Sequence, residues 1–263
     1  MADGTQDSPG VRRRGGREKR GFWFRFAIAV IWPLAQILTR RERSGWEQLP
    51  AEGGVIVAAN HVSIVDPMTV AQAVYDAGRL PHYLAKDTLF GMFFVGSLMR
   101  GAQQIPVRRA TADAAQALDA AVAALRAGNC VVIYPEGTTS RDPQLWPMKA
   151  RTGIARLALT TGVPVLPMAQ WGPQEMHRRG GRLHPFRRPL VHAHLGAPID
   201  LSAYAGREQT PAVLREVTDL IMGRITAKLA EVRGEQPPAS PFEFRASASR
   251  ATAPDDSAQR KSA

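Results

Sequence analysis

The chain has a single cysteine, Cys130, so no internal disulfide framework holds it together. That thiol lies within Cys130-Val131-Val132-Ile133-Tyr134, where a cysteine acts as a small buried hydrophobe. A reducing, cytosolic-side location follows. Long charge-free apolar runs are also missing. The N-terminal one, Phe26 to Thr39, is interrupted by Pro33 and Gln36 and falls short of the ~20 residues a membrane-spanning helix needs. There is no P-loop, no dinucleotide fingerprint and no Gly-x-Ser-x-Gly elbow, so no motif points to a nucleoside triphosphatase, a nicotinamide enzyme or a serine hydrolase. Acidic residues are few: 23 against 34 Lys and Arg, for a net charge of +11.

The excess charge is concentrated in two places. Between residues 11 and 43, ten arginines and lysines stand against Glu18 and Glu42. Between 175 and 190, five arginines (Arg178, Arg179, Arg182, Arg187 and Arg188) stand against Glu175. The first cluster brackets the apolar stretch from Gly21 to Thr39, which carries Phe22, Trp23 and Phe24 at one end and Trp32 further on. Aromatics and flanking arginines around a run too short to span are features of a segment lying in the membrane interface. Pro33 and the lack of a small-residue cleavage site argue against a secretory leader. Because the aromatics sit inside the apolar run, the basic patch is read as facing anionic lipid, with no nucleic acid as partner.

Residues 1–20 and 234–263, rich in polar residues, Gly, Pro and Ser, read as disordered tails. Residues 21–43 read as a membrane-interfacial helical segment, and 44–233 as one domain. Within it, apolar runs at 55–59, 81–86, 103–107, 130–134, 163–169 and 190–195 predict strands. Segments 67–78, 111–127, 150–161 and 211–233 predict helices, and 89–99 is strongly apolar. The alternation predicts an α/β fold: a single domain whose mostly parallel or mixed central sheet is flanked by helices.

In open α/β sheets, ligand-binding groups gather in loops at strand C-termini. Three such loops carry chemistry here. After the run Val55–Ala59 comes Asn60-His61-Val62-Ser63-Ile64-Val65-Asp66-Pro67. Pro67 suits a first helical position and Asp66 the N-cap before it, so His61 falls in the loop and can turn back onto the Asp66 carboxylate. That carboxylate would fix the imidazole tautomer and leave the other nitrogen free to take a proton. An Asp-Pro helix start without any chemistry would look the same. The second loop carries Arg108 and Arg109. The third carries Glu136, then Gly137-Thr138-Thr139-Ser140 and Arg141. A base, a cation that keeps its proton and an N–H-rich loop suit a substrate bearing both a hydroxyl and a phosphate.

This ordered set resembles the lysophosphatidic acid acyltransferase family, the glycerolipid acyltransferases with a His-x4-Asp motif. The likeness runs over about residues 45–200. Asn60-His61 to Asp66-Pro67 matches its first block, Ile105-Pro106-Val107-Arg108-Arg109 its second, Pro135-Glu136-Gly137-Thr138 its third and Val163-Pro164-Val165-Leu166-Pro167 its fourth. Two positions depart from the pattern: Gln103 stands where the second block opens with glycine, and Thr139 stands where the third block has arginine. The resemblance implies that His61 deprotonates the free glycerol hydroxyl and Asp66 orients it. It implies that Arg109, Glu136, Gly137 and Thr138 bind the acceptor's phosphate end, with Glu136 positioning the loop or Arg109. It further implies an acyl thioester of CoA or acyl carrier protein as donor, a lysophospholipid as acceptor, and no cofactor or metal. His192 and His194, two apart on a predicted strand, have no evident partner cysteine or carboxylate in the sequence and are read as not binding metal.

Phospholipid biosynthesis at the cytoplasmic face of the cell membrane, on a peripheral or monotopic protein, is the resulting expectation. A different lysophospholipid or glycolipid acceptor, or an inactive lipid-binding adaptor, remain the alternatives.

Overall fold

The computed structural model describes residues 21–107 and 114–244. Seven strands form one sheet: β1 (Arg40–Ser44), β2 (Val55–Ala59), β3 (Pro81–Lys86), β4 (Ile105–Val107), β5 (Cys130–Ile133), β6 (Val165–Trp171) and β7 (Leu190–Leu195). Their order across the sheet is β1-β7-β6-β2-β5-β3-β4. Every pairing is parallel except β6 with β7, so the sheet is mixed.

The helices are α1 (Phe22–Leu38), α2 (Asp66–Asp76), α3 (Phe93–Gly101), α4 (Ala114–Arg126), α5 (Gly153–Thr161) and α6 (Pro211–Arg233). β2 is buried at every position, as expected of a central parallel strand covered on both faces. Alternate residues divide between two cores. Val55, Val57 and Ala59 pack with Val70, Ala73 and Val74 of α2. Ile56 and Ala58 pack with residues of α4, α5 and α6, among them Leu125, Ile154 and Ile221. This packing fixes β2 in the middle, so the loop leaving its C-terminus opens at the sheet's rim between neighbouring strands.

Two elements differ from the sequence reading. The predicted helical segment 21–43 divides: the helix ends at Leu38, and Arg40–Ser44 is an edge strand in the sheet, pairing Glu42 with His192. Arg-Arg-Glu-Arg-Ser has no apolar alternation because an edge strand needs little burial, and β7 supplies its register. Pro33 does not break α1, which runs through it; the cost is one intrahelical hydrogen bond. Among the described residues no helix is long and apolar enough to cross a membrane.

Candidate active site

The β2–α2 loop is shaped by one carboxylate oxygen. Oδ2 of Asp66 accepts hydrogen bonds from the backbone N–H groups of Val62 (2.7 Å) and Ser63 (2.9 Å) and lies 2.8 Å from Nδ1 of His61. Asp66 is therefore the first residue of α2, where the expected N-cap role falls instead to Val65. Its carboxylate turns back to close the loop, and that turn brings residues five apart together. Asp66 is fully buried. Burial pushes its carboxyl above the ordinary value, while the hydrogen bonds from His61, Ser63 and Val62 pull the other way.

With Nδ1 occupied by Asp66, Nε2 of His61 is the nitrogen left for a substrate proton. The imidazole stacks on the Tyr134 ring, with centroids 4.2 Å apart. Both rings line a cavity of about 510 Å3 whose other walls include Trp32, Met68, Tyr83, Leu98 and Met99. A largely apolar pocket of this size with a few convergent polar groups, His61 among them, is what a lipid-like ligand requires.

The third loop holds the His61 backbone from both sides. Glu136 Oε1 accepts from the His61 N–H (3.0 Å), and the Ser140 N–H donates to the His61 carbonyl (2.6 Å). Glu136 Oε2 accepts from the Met148 N–H (3.0 Å). Both oxygens are thus engaged with backbone, consistent with the expected loop-positioning role; Arg109 lies outside the described residues, as does Arg108. Burial pushes the Glu136 carboxyl up to about 8 despite those two N–H donors. Gly137 takes the left-handed conformation (φ 71°) and closes a turn onto Tyr134 O, which a side chain would strain.

Two groups near this site gave no clear signal in the sequence. Gln170 of β6 clasps Asn60: its N–H donates to Asn60 Oδ1 (2.8 Å), its amide donates to Asn60 O (2.9 Å), and Asn60 Nδ2 donates to Gln170 O (3.0 Å). A lone Gln at the end of an apolar strand was the only hint. Arg179, in the β6–β7 connection, reaches Oγ1 of Thr138 (3.2 Å) and of Thr139 (3.3 Å). Its loop is tied to the site, since Ser63 Oγ donates to His177 O at 2.8 Å. Arg141, by contrast, lies over the Phe244 ring, 3.4 Å from its centroid.

Comparison with known proteins agrees with this geometry. Residues 40–171 match the family model described as Acyltransferase. A 1-acyl-sn-glycerol-3-phosphate acyltransferase from Bacillus subtilis is 31% identical over 167 residues, covering 60% of this chain and 78% of the relative. One from Borreliella burgdorferi is 27% identical over 175 residues, covering 66% and 68%. In fold, the chain is similar to the 1-acyl-sn-glycerophosphate acyltransferase PlsC of Thermotoga maritima, with a TM-score of 0.61, 21% identity, and 81% and 83% of the two chains covered. The family model and the relatives cover a segment that spans the whole His61–Gln170 constellation, with its histidine held by a buried carboxylate at an apolar cavity, and this chain belongs to the acyltransferase family, with the 1-acyl-sn-glycerol-3-phosphate acyltransferases.

Proposed function

We propose that this enzyme transfers a fatty acyl group from acyl-CoA to the free hydroxyl of lysophosphatidic acid, giving phosphatidic acid. The observation that carries this reading is the His61–Asp66 pair at 2.8 Å opening into the apolar cavity. His61 Nε2 takes the hydroxyl proton as that oxygen attacks the thioester carbonyl. The C–O bond forms, the C–S bond breaks, and the departing thiolate takes the proton back. Asp66 stabilises the imidazolium between the two transfers. The test is a panel of lysolipids against acyl-CoA and acyl carrier protein thioesters. Turnover fastest with lysophosphatidic acid and acyl-CoA supports the reading. Vesicle binding without acylation of any lysolipid would replace it with that of a lipid-binding adaptor.

The acceptor's phosphate fits beside Thr138 and Thr139, where Arg179 supplies the guanidinium that position 139 lacks. Arg179→Ala should raise KM for lysophosphatidic acid about tenfold, the loss of one charge-assisted hydrogen bond. Monoacylglycerol, which has no phosphate, should be used at an unchanged rate. Equal effects on both acceptors would remove Arg179 from the phosphate site.

The cavity lies beside an apolar surface that suits a bilayer. Phe22, Phe26, Val30, Leu34 and Ile37 are exposed along α1 at helical spacing. Phe93 (97% exposed) at the start of α3 and Phe186 (89%) in the turn that packs on α1 extend this surface, and Arg187 and Arg188 flank it. Phe93→Asp together with Phe186→Asp should weaken binding to anionic vesicles by roughly tenfold per residue in a flotation assay. Unchanged flotation would place the lipid contact elsewhere.

A further inference from the structure

The edge strand β1 brings a carboxylate to the two β7 histidines that the sequence left without one. Glu42 pairs with His192 in a parallel register, and His194 lies two residues further along β7, so all three project from one face. This is the α6 side of the sheet, because the alternating Ala193 and Leu195 enter the α2 core. Oε1 of Glu42 lies 3.4 Å from Nδ1 of His192 and 3.4 Å from Nε2 of His194, and the three ligand atoms all fall within 4.8 Å of one another. These separations exceed the usual N–H···O range of about 2.7–3.2 Å. The two Glu42–histidine distances do match those between ligands of a tetrahedral metal centre, where bonds of about 2.0–2.1 Å place neighbouring ligand atoms roughly 3.3–3.4 Å apart. Among the described residues, His194 Nε2 is closed off from solvent and makes no hydrogen bond of ordinary length, its contact with Glu42 Oε1 being long. Lys228 of α6 faces His194, but its ammonium is engaged by Glu231 at 2.5 Å.

We propose that Glu42, His192 and His194 form a binding site for a divalent transition metal of the zinc class, with the fourth position open to water. Two imidazoles and one carboxylate favour such ions over magnesium or calcium, which prefer all-oxygen shells. None of the three residues lines the cavity at His61, so the site is separate from the acyl-transfer chemistry. A metal there cross-links β1 to β7 and so anchors the strand that follows the lipid-facing helix α1.

The experiment uses the full chain without a histidine tag, stripped with chelator and titrated calorimetrically with Zn2+ in excess Mg2+. One equivalent is expected to bind in the micromolar range or tighter, with a rise in Tm. His192→Ala/His194→Ala should bind at least about a hundredfold more weakly, since two of three ligands are gone. Glu42→Gln, at an exposed edge position, should weaken binding about tenfold while preserving the fold, and serves if the double variant does not fold. The absence of stoichiometric Zn2+ binding by the wild-type chain overturns the proposal. So does binding that neither the double variant nor Glu42→Gln diminishes.

Discussion

His61→Ala is expected to lower acyl transfer by about three orders of magnitude while leaving the fold intact, within the ~10²–10⁴-fold that a positioned general base contributes. Among the described residues, the His61 side chain bonds only to Asp66 and stacks on Tyr134. The loop's two N–H bonds to Asp66 Oδ2 and the Glu136 bond to the His61 N–H do not depend on the imidazole. The variant should therefore keep its far-UV circular dichroism, its vesicle binding and its affinity for lysolipid. Asp66→Asn should do less harm, for a reason particular to this site. One oxygen of Asp66 serves all three donors, and among the described residues Oδ1 has no hydrogen-bond partner. An asparagine can place its carbonyl where Oδ2 stands and its amide where Oδ1 stands, so the imidazole keeps its tautomer and orientation. What is lost is the charge opposite the imidazolium, worth about 1.5–3 kcal/mol, or roughly ten- to a hundredfold in kcat. If Asp66→Asn proves as inactive as His61→Ala, Asp66 does more than hold and stabilise the imidazole, and the proton path needs redrawing.

The parts of the fold and site legible in the sequence were those where one short stretch carries the whole signal. The buried runs at 55–59, 130–134 and 190–195 read as strands because parallel or central strands are apolar throughout or alternate cleanly. The closing helix was legible from Pro211 to Gly234 because Pro at the start and Gly after the end bracket it. His61 and Asp66 were legible as a pair because Pro67 forces the helix to begin beside them. Interactions between distant stretches were not legible. β1 has no apolar pattern and exists because β7 pairs with it. Arg179 stood out only as one of five arginines, and its contact with Thr138 and Thr139 depends on a fold that joins residues about forty apart. The carboxylate facing His192 and His194 is hidden for the same reason: in the sequence, Glu42 sits within the basic cluster that flanks the apolar N-terminal stretch.

Glu136→Ala should produce a large loss of stability. It leaves the N–H groups of His61 and Met148 without acceptors in a buried setting. Each orphaned group costs about 1–3 kcal/mol, so together they take about 2–6 kcal/mol from a domain whose total stability is on the order of 5–15 kcal/mol. Activity should fall with it, because the same carboxylate fixes where His61 stands. Glu136→Gln isolates the electrostatics. Its amide keeps one acceptor and sets an N–H against the other donor, so it is destabilised at every pH, but it cannot titrate. The wild-type carboxyl, pushed up to about 8 by burial, holds its proton more tightly folded than unfolded. Its contribution to stability is then complete below the unfolded value of 4.5, declines as pH rises through the interval, and is lost above about 8. The wild-type advantage in unfolding free energy over Glu136→Gln, followed by denaturant titration, should accordingly shrink between pH 5 and pH 8, by up to a few kcal/mol. An advantage that stays constant across that range would mean that the two N–H donors outweigh burial and that Glu136 is ionised throughout. The His61 loop would then be held by a buried negative charge, and Glu136→Gln would cost as much at pH 5 as at pH 8.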